Sequence, residues 1–380
     1  MEKQLIPQLR FPDFKGEWKI KKVENILSIG SGKDYKHLED GEIPVYGTGG
    51  YMTSVDEFLY NGESVCIGRK GTIDNPIFLN EKFWTVDTLF YTHSFKQVLP
   101  RFVYSLFQNI NWYKHNEASG VPSLSKKTIE KININIPSLP EQQKIASFLS
   151  DVDDKITKLT KKKDLLEQYK KGIMQKIFNQ ELRFKDDDGN EFPKWEMKEL
   201  GKITKYYDGT HQTPNYVSEG IPFYSVEHVT ANQFEKTKFI SKKVFDKENK
   251  RVRLEKGDIL MTRIGNVGKA RYIDWDVKAS FYVSLALIKQ NSSFSSKYLA
   301  QYINSVPFQR ELWKRIIHVA FPIKINLGEI GKCLVQLPCI EEQTKIANFL
   351  SDIDVKIEAL DTKIKNSQAF KKGVLQQMFV

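Results

Sequence analysis

The strongest constraint on this chain is that part of it is written twice. Residues 136–178 align with residues 337–379 at a constant offset of 201, without a gap, and 20 of the 43 positions are identical. Both copies carry Pro-x-x-x-Glu-Gln-x-Lys-Ile-Ala-x-Phe-Leu-Ser-Asp, from Pro137 and again from Pro338. A repeat of this length means one structural unit used twice. It also reaches backwards: Leu9-Arg10-Phe11 returns as Leu182-Arg183-Phe184, and Trp18 as Trp195. Between these anchors the copies diverge, leaving echoes. Ile43-Pro44-Val45-Tyr46 faces Ile221-Pro222-Phe223-Tyr224, and Gly62-Glu63 leading to Arg69 faces Gly257-Asp258 leading to Arg263. Similar frames enclose dissimilar inserts.

Each frame ends in a helix. Ile145, Leu149, Val152, Ile156 and Leu159 step by four and three, as do Ile346, Leu350, Ile353, Ile357, Leu360 and Ile364. That is the narrow apolar seam of a coiled coil. Pro140 with Glu141-Gln142, and Glu341-Glu342, suit helix starts. Two readings stand: each helix lies on its own domain's core, or the two pair with each other. Because a folded domain separates them in sequence, antiparallel pairing is the simplest geometry. Such a helix, about 57 Å long at ~1.5 Å per residue, matches roughly 17 base pairs of DNA. The first copy runs from Phe178 into Leu182-Arg183-Phe184. The second reaches Phe379, and Leu9-Arg10-Phe11 supplies the matching continuation. An N-terminal strand docking beside the C-terminal helix is therefore expected to close a pseudo-twofold ring.

The 380 residues suffice for two or three domains, read as 1–140, 141–181, 182–341 and 342–380, the second and fourth being the helical spacers. Net charge is +11, distributed over those segments (with the first spacer taken as 141–178) as +1, +3, +6 and +1. Such a balance points to a polyanionic partner, most strongly in the second half. Mean hydropathy is −0.45, no apolar run approaches a membrane span, and Met1–Arg10 does not read as a signal peptide. Cys66, Cys333 and Cys339 form neither a disulfide framework nor a metal pair; they read as reduced thiols of a cytoplasmic protein.

Both inserts mix short strand-like runs with Gly- and Asn-rich turns. Examples are Glu63–Ile67, Pro76–Leu79, Asp258–Met261 and Ser280–Ile288. Helical stretches are expected at Pro100–Trp112 and Lys297–Ile317. The expected class is α/β: two pseudo-twofold-related domains joined by two long antiparallel coiled-coil helices. Their loops hold DNA-contacting chemistry. Tyr46, Thr48 and Gly49 lie on a glycine-rich turn. Arg69 with Lys70, and Arg263 with Asn266, stand beside glycines at corresponding places. Arginine bridges guanine O6 and N7, and asparagine bridges adenine. Thr210, His211, Gln212, Ser225 and His228 are further candidates; Lys114, His115 and Lys324 suit phosphates.

Catalytic signatures fail. Gly30-Ser31-Gly32-Lys33-Asp34 lacks the first glycine and the magnesium-binding hydroxyl of a phosphate loop. Asp13, Glu17 and Lys19 resemble a nuclease triad, but the second copy keeps the tryptophan without the aspartate. Histidine is scarce and scattered, which disfavours metal chemistry.

The frame Val121-Pro122-Ser123-Leu124-Ser125…Ile136-Pro137-Ser138-Leu139-Pro140-Glu141-Gln142, with Ile145-Ala146-x-Phe148-Leu149, resembles the DNA specificity subunit of type I restriction–modification systems. So do Leu9-Arg10-Phe11…Trp18 and Pro338…Glu342-Gln343. The resemblance covers essentially the whole chain. It implies two target-recognition domains reading the halves of a gapped site in double-stranded DNA, with helical spacers fixing the gap. It implies two methyltransferase subunits binding S-adenosylmethionine, and restriction subunits using ATP and magnesium. It implies a non-catalytic chain that binds no cofactor and no membrane. The shared frame would then be the dock for the shared partner, with Trp18, Glu141, Gln142, Phe148, Trp195, Glu342, Gln343 and Phe349 as docking residues. A free-standing DNA-binding regulator and a coiled-coil scaffold without a nucleic-acid role remain alternatives.

Overall fold

A computed structural model describes residues 6–380; the first five residues of the Met1–Arg10 stretch lie outside the described residues. The chain divides into two compact units, one of Met1–Lys162 with Leu360–Val380, the other of Lys163–Ala359. The divisions fall inside the two long helices, Leu139–Phe178 and Ile340–Met378. The helical spacers are therefore not separate bodies: each unit owns the first half of one helix and the second half of the other.

In the first unit a six-stranded sheet runs in the order Ser28–Ser31, Leu89–His93, Tyr60–Gly68, Ile77–Thr85, Asp40–Gly47, Gly50–Val55. Val65, Cys66 and Ile67 are all fully buried, so this strand reads as a continuous apolar run, as a strand covered on both faces does. Helix Pro100–Asn109 starts on its proline, whose missing N–H costs nothing there. Lys19–Lys22 pairs antiparallel with Asn133–Ile136 and leads Trp18 into the core.

The second unit splits its strands between two four-stranded sheets. One runs Tyr206–Asp208, Leu285–Ile288, Ile259–Thr262, Ala270–Tyr272, and the other Tyr216–Val217, Lys238–Ile240, Ile221–Tyr224, Ser280–Phe281. The run expected as one strand at Ser280–Ile288 is thus two strands in two sheets, with the chain switching at Tyr282–Ser284. The helix expected at Lys297–Ile317 is likewise two, Ser296–Ile303 and Val306–Trp313. Pro307 cannot donate to the preceding turn and so opens a new helix. Glu196–Glu199 pairs with Leu334–Leu337, the counterpart of the first unit's two-stranded ribbon.

Both readings of the apolar seam hold at different places along it. Ile145 and Leu149 sit in the first unit's core beside Val374, Leu375, Met378 and Phe379. Ile346, Leu350 and Ile353 sit in the second unit's core beside Ile177 and Phe178. Within the first unit the half-helices run antiparallel: Glu141, at the start of one, holds Trp18, whose ring is 6.0 Å from Phe379 at the end of the other, while further along Lys371 Nζ lies 2.6 Å from Asp153 Oδ1. In the second, Lys170 Nζ lies 2.6 Å from Asp354 Oδ1.

The segment Ile6–Arg10 does dock on the second long helix, though as a bend rather than a strand. Leu9 N donates to Gln377 O at 3.0 Å, and Leu182 N donates to Lys176 O at 3.2 Å. Positions 176 and 377 differ by the repeat offset, so the same joint is made once by a continuous chain and once by its two distant ends. Among the described residues, no helix is long and apolar enough to cross a membrane.

Candidate nucleic-acid interface

The two inserts, so different in sequence, are built on one hydrogen-bond ladder. Lys33 N donates to Thr85 O, and Thr210 N to Phe281 O, both at 2.9 Å. Val86 N donates to Tyr46 O, as Tyr282 N does to Tyr224 O. Arg69 N meets Thr88 O at 2.7 Å, and Arg263 N meets Ser284 O at 2.9 Å. Gly71 N meets Pro122 O and Gly265 N meets Ile323 O, both at 2.8 Å. Gly71 and Gly265 have φ of +93° and +80°, a region that side chains disfavour. The Arg-x-Gly turn therefore recurs for a backbone reason. Gly32 and Gly209 correspond too. A Cβ at either would run into backbone carbonyls, of Thr85 and Val86 or of Phe281 and Tyr282. The phosphate-loop look of Gly30–Lys33 is thus close strand packing.

On this ladder the candidate loops lie together. In the first domain, Thr48 and Gly49 form the hairpin tip between paired Gly47 and Gly50. Thr48 Oγ1 stands near Gly71 of the Arg69-Lys70-Gly71 turn. Lys70 pairs in turn with Ser123. Gly49, Arg69, Lys70 and Lys114 are exposed, and His115 is half-buried. Tyr46 is partly committed, because its hydroxyl donates to Glu81 Oε1 at 2.8 Å; burial, then that carboxylate, pushes the phenol up to about 12. In the second domain the same places hold Ser225, the Arg263–Gly265 turn and Lys324, which pairs with Ile264. His211, Gln212, Asn266 and Lys324 are exposed.

Three sequence candidates are corrected. Arg263 is not a free base reader. Its Nη1 lies 3.5 Å from Asp208 Oδ2, its side chain donates to Ile325 O and Val283 O, and it is 11% exposed. Burial pulls the guanidinium below its ordinary value, against the pull of Asp208. Thr210 is buried, its hydroxyl donating to Glu248 Oε2. His228 is a buried helix cap, its Nδ1 accepting from Ser225 N at 3.0 Å. His211 is exposed but tied through Nε2 to Asp208 Oδ2 at 2.8 Å. Asp208 joins this group unpredicted. Burial pushes its carboxyl up, but Arg251 and His211 outweigh that and hold it below the ordinary range.

The expected docking residues take part in an internal latch, built from the same residue types in both units. Arg10 Nε and Nη2 reach the two Glu141 oxygens at 2.8 Å each, and Trp18 Nε1 donates to Glu141 Oε1 at 3.2 Å. Arg183 and Trp195 grip Glu342 in the same way, at 3.2, 2.7 and 2.8 Å. The hydrogen bond to each carboxylate raises both arginine pKa values. Gln142 accepts from Leu99 N and donates to Pro137 O; Gln343 accepts from Ser295 N and donates to Pro338 O. Phe11 covers Phe148 at 5.9 Å, and Phe184 covers Phe349 at 5.7 Å. Trp18, Glu141, Gln142, Glu342 and Gln343 are buried, and Phe148, Trp195 and Phe349 half-buried. Glu-Gln, Leu-Arg-Phe and Trp recur because they meet each other. The recurrence of Arg10 as Arg183 was the available signal for the missing partner.

All three cysteines are free, and burial pushes the Cys66 and Cys333 thiols up to about 12. Among the described residues, no cluster of three or more His, Cys, Asp or Glu is arranged to hold a metal ion.

Comparison with known proteins places this geometry. Residues 15–168 and 193–367 each match the family described as type I restriction modification DNA specificity domain. The MjaVIII specificity subunit of a type I restriction enzyme from Methanocaldococcus jannaschii is 26% identical, over 83% of this chain and 75% of that protein. The EcoBI specificity subunit from Escherichia coli is 20% identical, over 83% and 72%. The fold is that of the S subunit of a type I system from M. genitalium, with a TM-score of 0.70 at 14% identity over 99% of both chains. With the family matched twice over most of its length, the chain belongs to the type I restriction–modification DNA specificity family.

Proposed function

We propose that this chain is the recognition component of a type I restriction–modification complex, each domain reading one half of a gapped DNA site. The observation that carries this reading is one backbone ladder holding two different sets of reading side chains. A shared scaffold with divergent loops suits two half-sites of different sequence. The +6 segment at 179–341 and the exposed Arg69, Lys70 and Lys114 supply phosphate attraction in both domains. The long helices set the gap. The exposed helix faces, rather than the latch, dock two methyltransferase subunits, and restriction subunits complete the assembly in the cytoplasm. S-adenosylmethionine, ATP and magnesium belong to those partners; this chain carries recognition and no catalysis. Mapping adenine methylation in the host with and without the gene tests the reading. Loss of one split motif is expected. An unchanged methylome returns the chain to a free-standing binder or a scaffold.

A further inference from the structure

The second recognition domain contains a cavity of about 350 Å³ at the place where its reading loops meet. That is at the small end of the range for ligand pockets, roughly 300–1,000 Å³. Three aromatic residues line it, Tyr216, Phe223 and Tyr282, with Phe223 edge-to-face against each of the other two at 6.0 and 6.1 Å. The Ile264-Gly265 turn and Pro322 line it as well. Glu227 opens onto the cavity from an exposed position, and Lys238 stands at its edge with Nζ 4.6 Å from the Tyr216 ring centre. Ser284 also lines it, and its hydroxyl is buried without a hydrogen-bond partner. An orphaned buried hydroxyl costs free energy until something pairs with it. Beside the cavity, Ile317 N donates to Lys324 O and closes a short loop. On that loop Val319 is 97% and Phe321 102% exposed. Folding leaves both in water, and Phe321 directly precedes the cavity-lining Pro322.

Aromatic rings, a carboxylate, an unpaired hydroxyl and a cation lining one cavity match the needs of a nucleobase with its phosphate. An exposed apolar wedge alongside is what enters a base stack when a step is opened. We propose that the second domain draws one base of its half-site out of the duplex and seats it in this cavity, with Phe321 filling the vacated space. The inference rests on reading the chain as a DNA specificity subunit, and concerns a position other than the methylated adenine. The base packs against one of the lining tyrosine rings, Tyr282 or Tyr216, and offers an amino group to Glu227. Adenine, cytosine and guanine carry one; thymine does not. In the first domain the chain after Tyr46 turns back as a β-hairpin through Thr48 and Gly49, where the second domain enters the helix Val226–Ala231 that carries Glu227, so the device belongs to one half-site only.

The test uses the full chain assembled with its methyltransferase partners and duplexes bearing the mapped motif. Each position of the half-site read by residues 182–341, the methylated adenine excepted, keeps its base while the opposite base is changed to a mismatch. Extrusion is easiest for an unpaired base. One position should therefore bind more tightly when mismatched, about tenfold if ~1.4 kcal/mol of pairing is removed. Phe321→Ala, at a position the fold leaves in solvent, should abolish that gain. Glu227→Gln should change which base is preferred there. If mismatches weaken binding, or leave it unchanged, at every position, the proposal is overturned while the DNA-specificity reading survives. A complex with no preference for the mapped motif overturns both.

Discussion

Glu342 offers the sharpest test of the internal latch. It is fully buried and accepts from Arg183 twice and from Trp195 once. Replacing it by alanine leaves a guanidinium and an indole N–H facing a void. Breaking a buried ion pair by removing one partner costs about 3–5 kcal/mol. Arg183 remains 19% exposed and keeps its bond to Pro193 O, so the lower end applies, about 3 kcal/mol. For a unit of about 200 residues, each kcal/mol moves Tm by ~2–4 °C, so Glu342→Ala should lower the second unit's transition by roughly 6–12 °C. Glu196→Ala is the control, since its partner Lys198 is 49% exposed and Glu196 itself 66%. An exposed pair contributes under about 1 kcal/mol. Calorimetry on the full chain, with hydrogen exchange to assign the transition, reads both. The latch is refuted if Glu342→Ala melts like the control. If it also loses methyltransferase binding, the docking role is restored.

Three further outcomes follow from the interface. Arg69→Ala should leave stability within about 0.5 kcal/mol of unchanged while weakening DNA binding, because its side chain is exposed; Arg263→Ala should lower Tm, since it uncovers Asp208 and two carbonyls. Gly32→Ala and Gly209→Ala should each destabilise their own unit by about 1–3 kcal/mol through overpacking against backbone, read by hydrogen exchange confined to that unit. Asp208 is depressed in the folded state, so its contribution is present above the unfolded value near 3.9 and lost as pH falls through the lower folded value. Acid unfolding of Asp208→Asn should therefore show a shallower pH dependence below about pH 4 than the parent chain.

The sequence was most legible where constraint is local and repeated. The helices, the repeat and the match of Arg69 with Arg263 all follow from periodicity or offset, and even the echo of Tyr46 in Tyr224 proves to be a shared ladder position. The roles of the repeated residues were less legible. A residue kept in both copies meets the same demand twice, but identity alone does not say whether a partner or the chain itself makes that demand. Trp18 and Glu141 lie 123 positions apart, so their hydrogen bond has no local trace. Arg69 and Arg263 look alike in sequence and differ in exposure because Asp208, 55 positions before Arg263, lies beneath only one of them. Of the cavity residues, Ser225 and His228 are legible as polar-loop candidates, whereas Tyr282 and Ser284 are not, because they fall in a run that looks like one strand until the chain changes sheets.

The two units, alike in frame, should not fold alike. The second is a contiguous stretch, Lys163–Ala359, while the first needs Leu360–Val380 to be complete. Val374, Leu375, Met378 and Phe379 are buried in the first unit's core, Phe379 edge-on to Trp18 at 6.0 Å. Burying four such side chains contributes roughly 6–12 kcal/mol at ~1.5–3 kcal/mol each, an upper bound. That is comparable to the whole stability of a domain, about 5–15 kcal/mol. Their counterparts in the second unit, Ile173, Met174, Ile177 and Phe178, lie inside its own contiguous stretch. Residues 163–359 expressed alone should therefore melt cooperatively. Residues 1–162 should not, until a peptide of residues 360–380 is added, when a cooperative transition should appear. A cooperative melt of 1–162 alone would show that the half-helix is an accessory and not part of the core. A chain cut at residue 359 should therefore lose the reader of the first half-site and keep that of the second, because the half-helix it loses completes the first core alone.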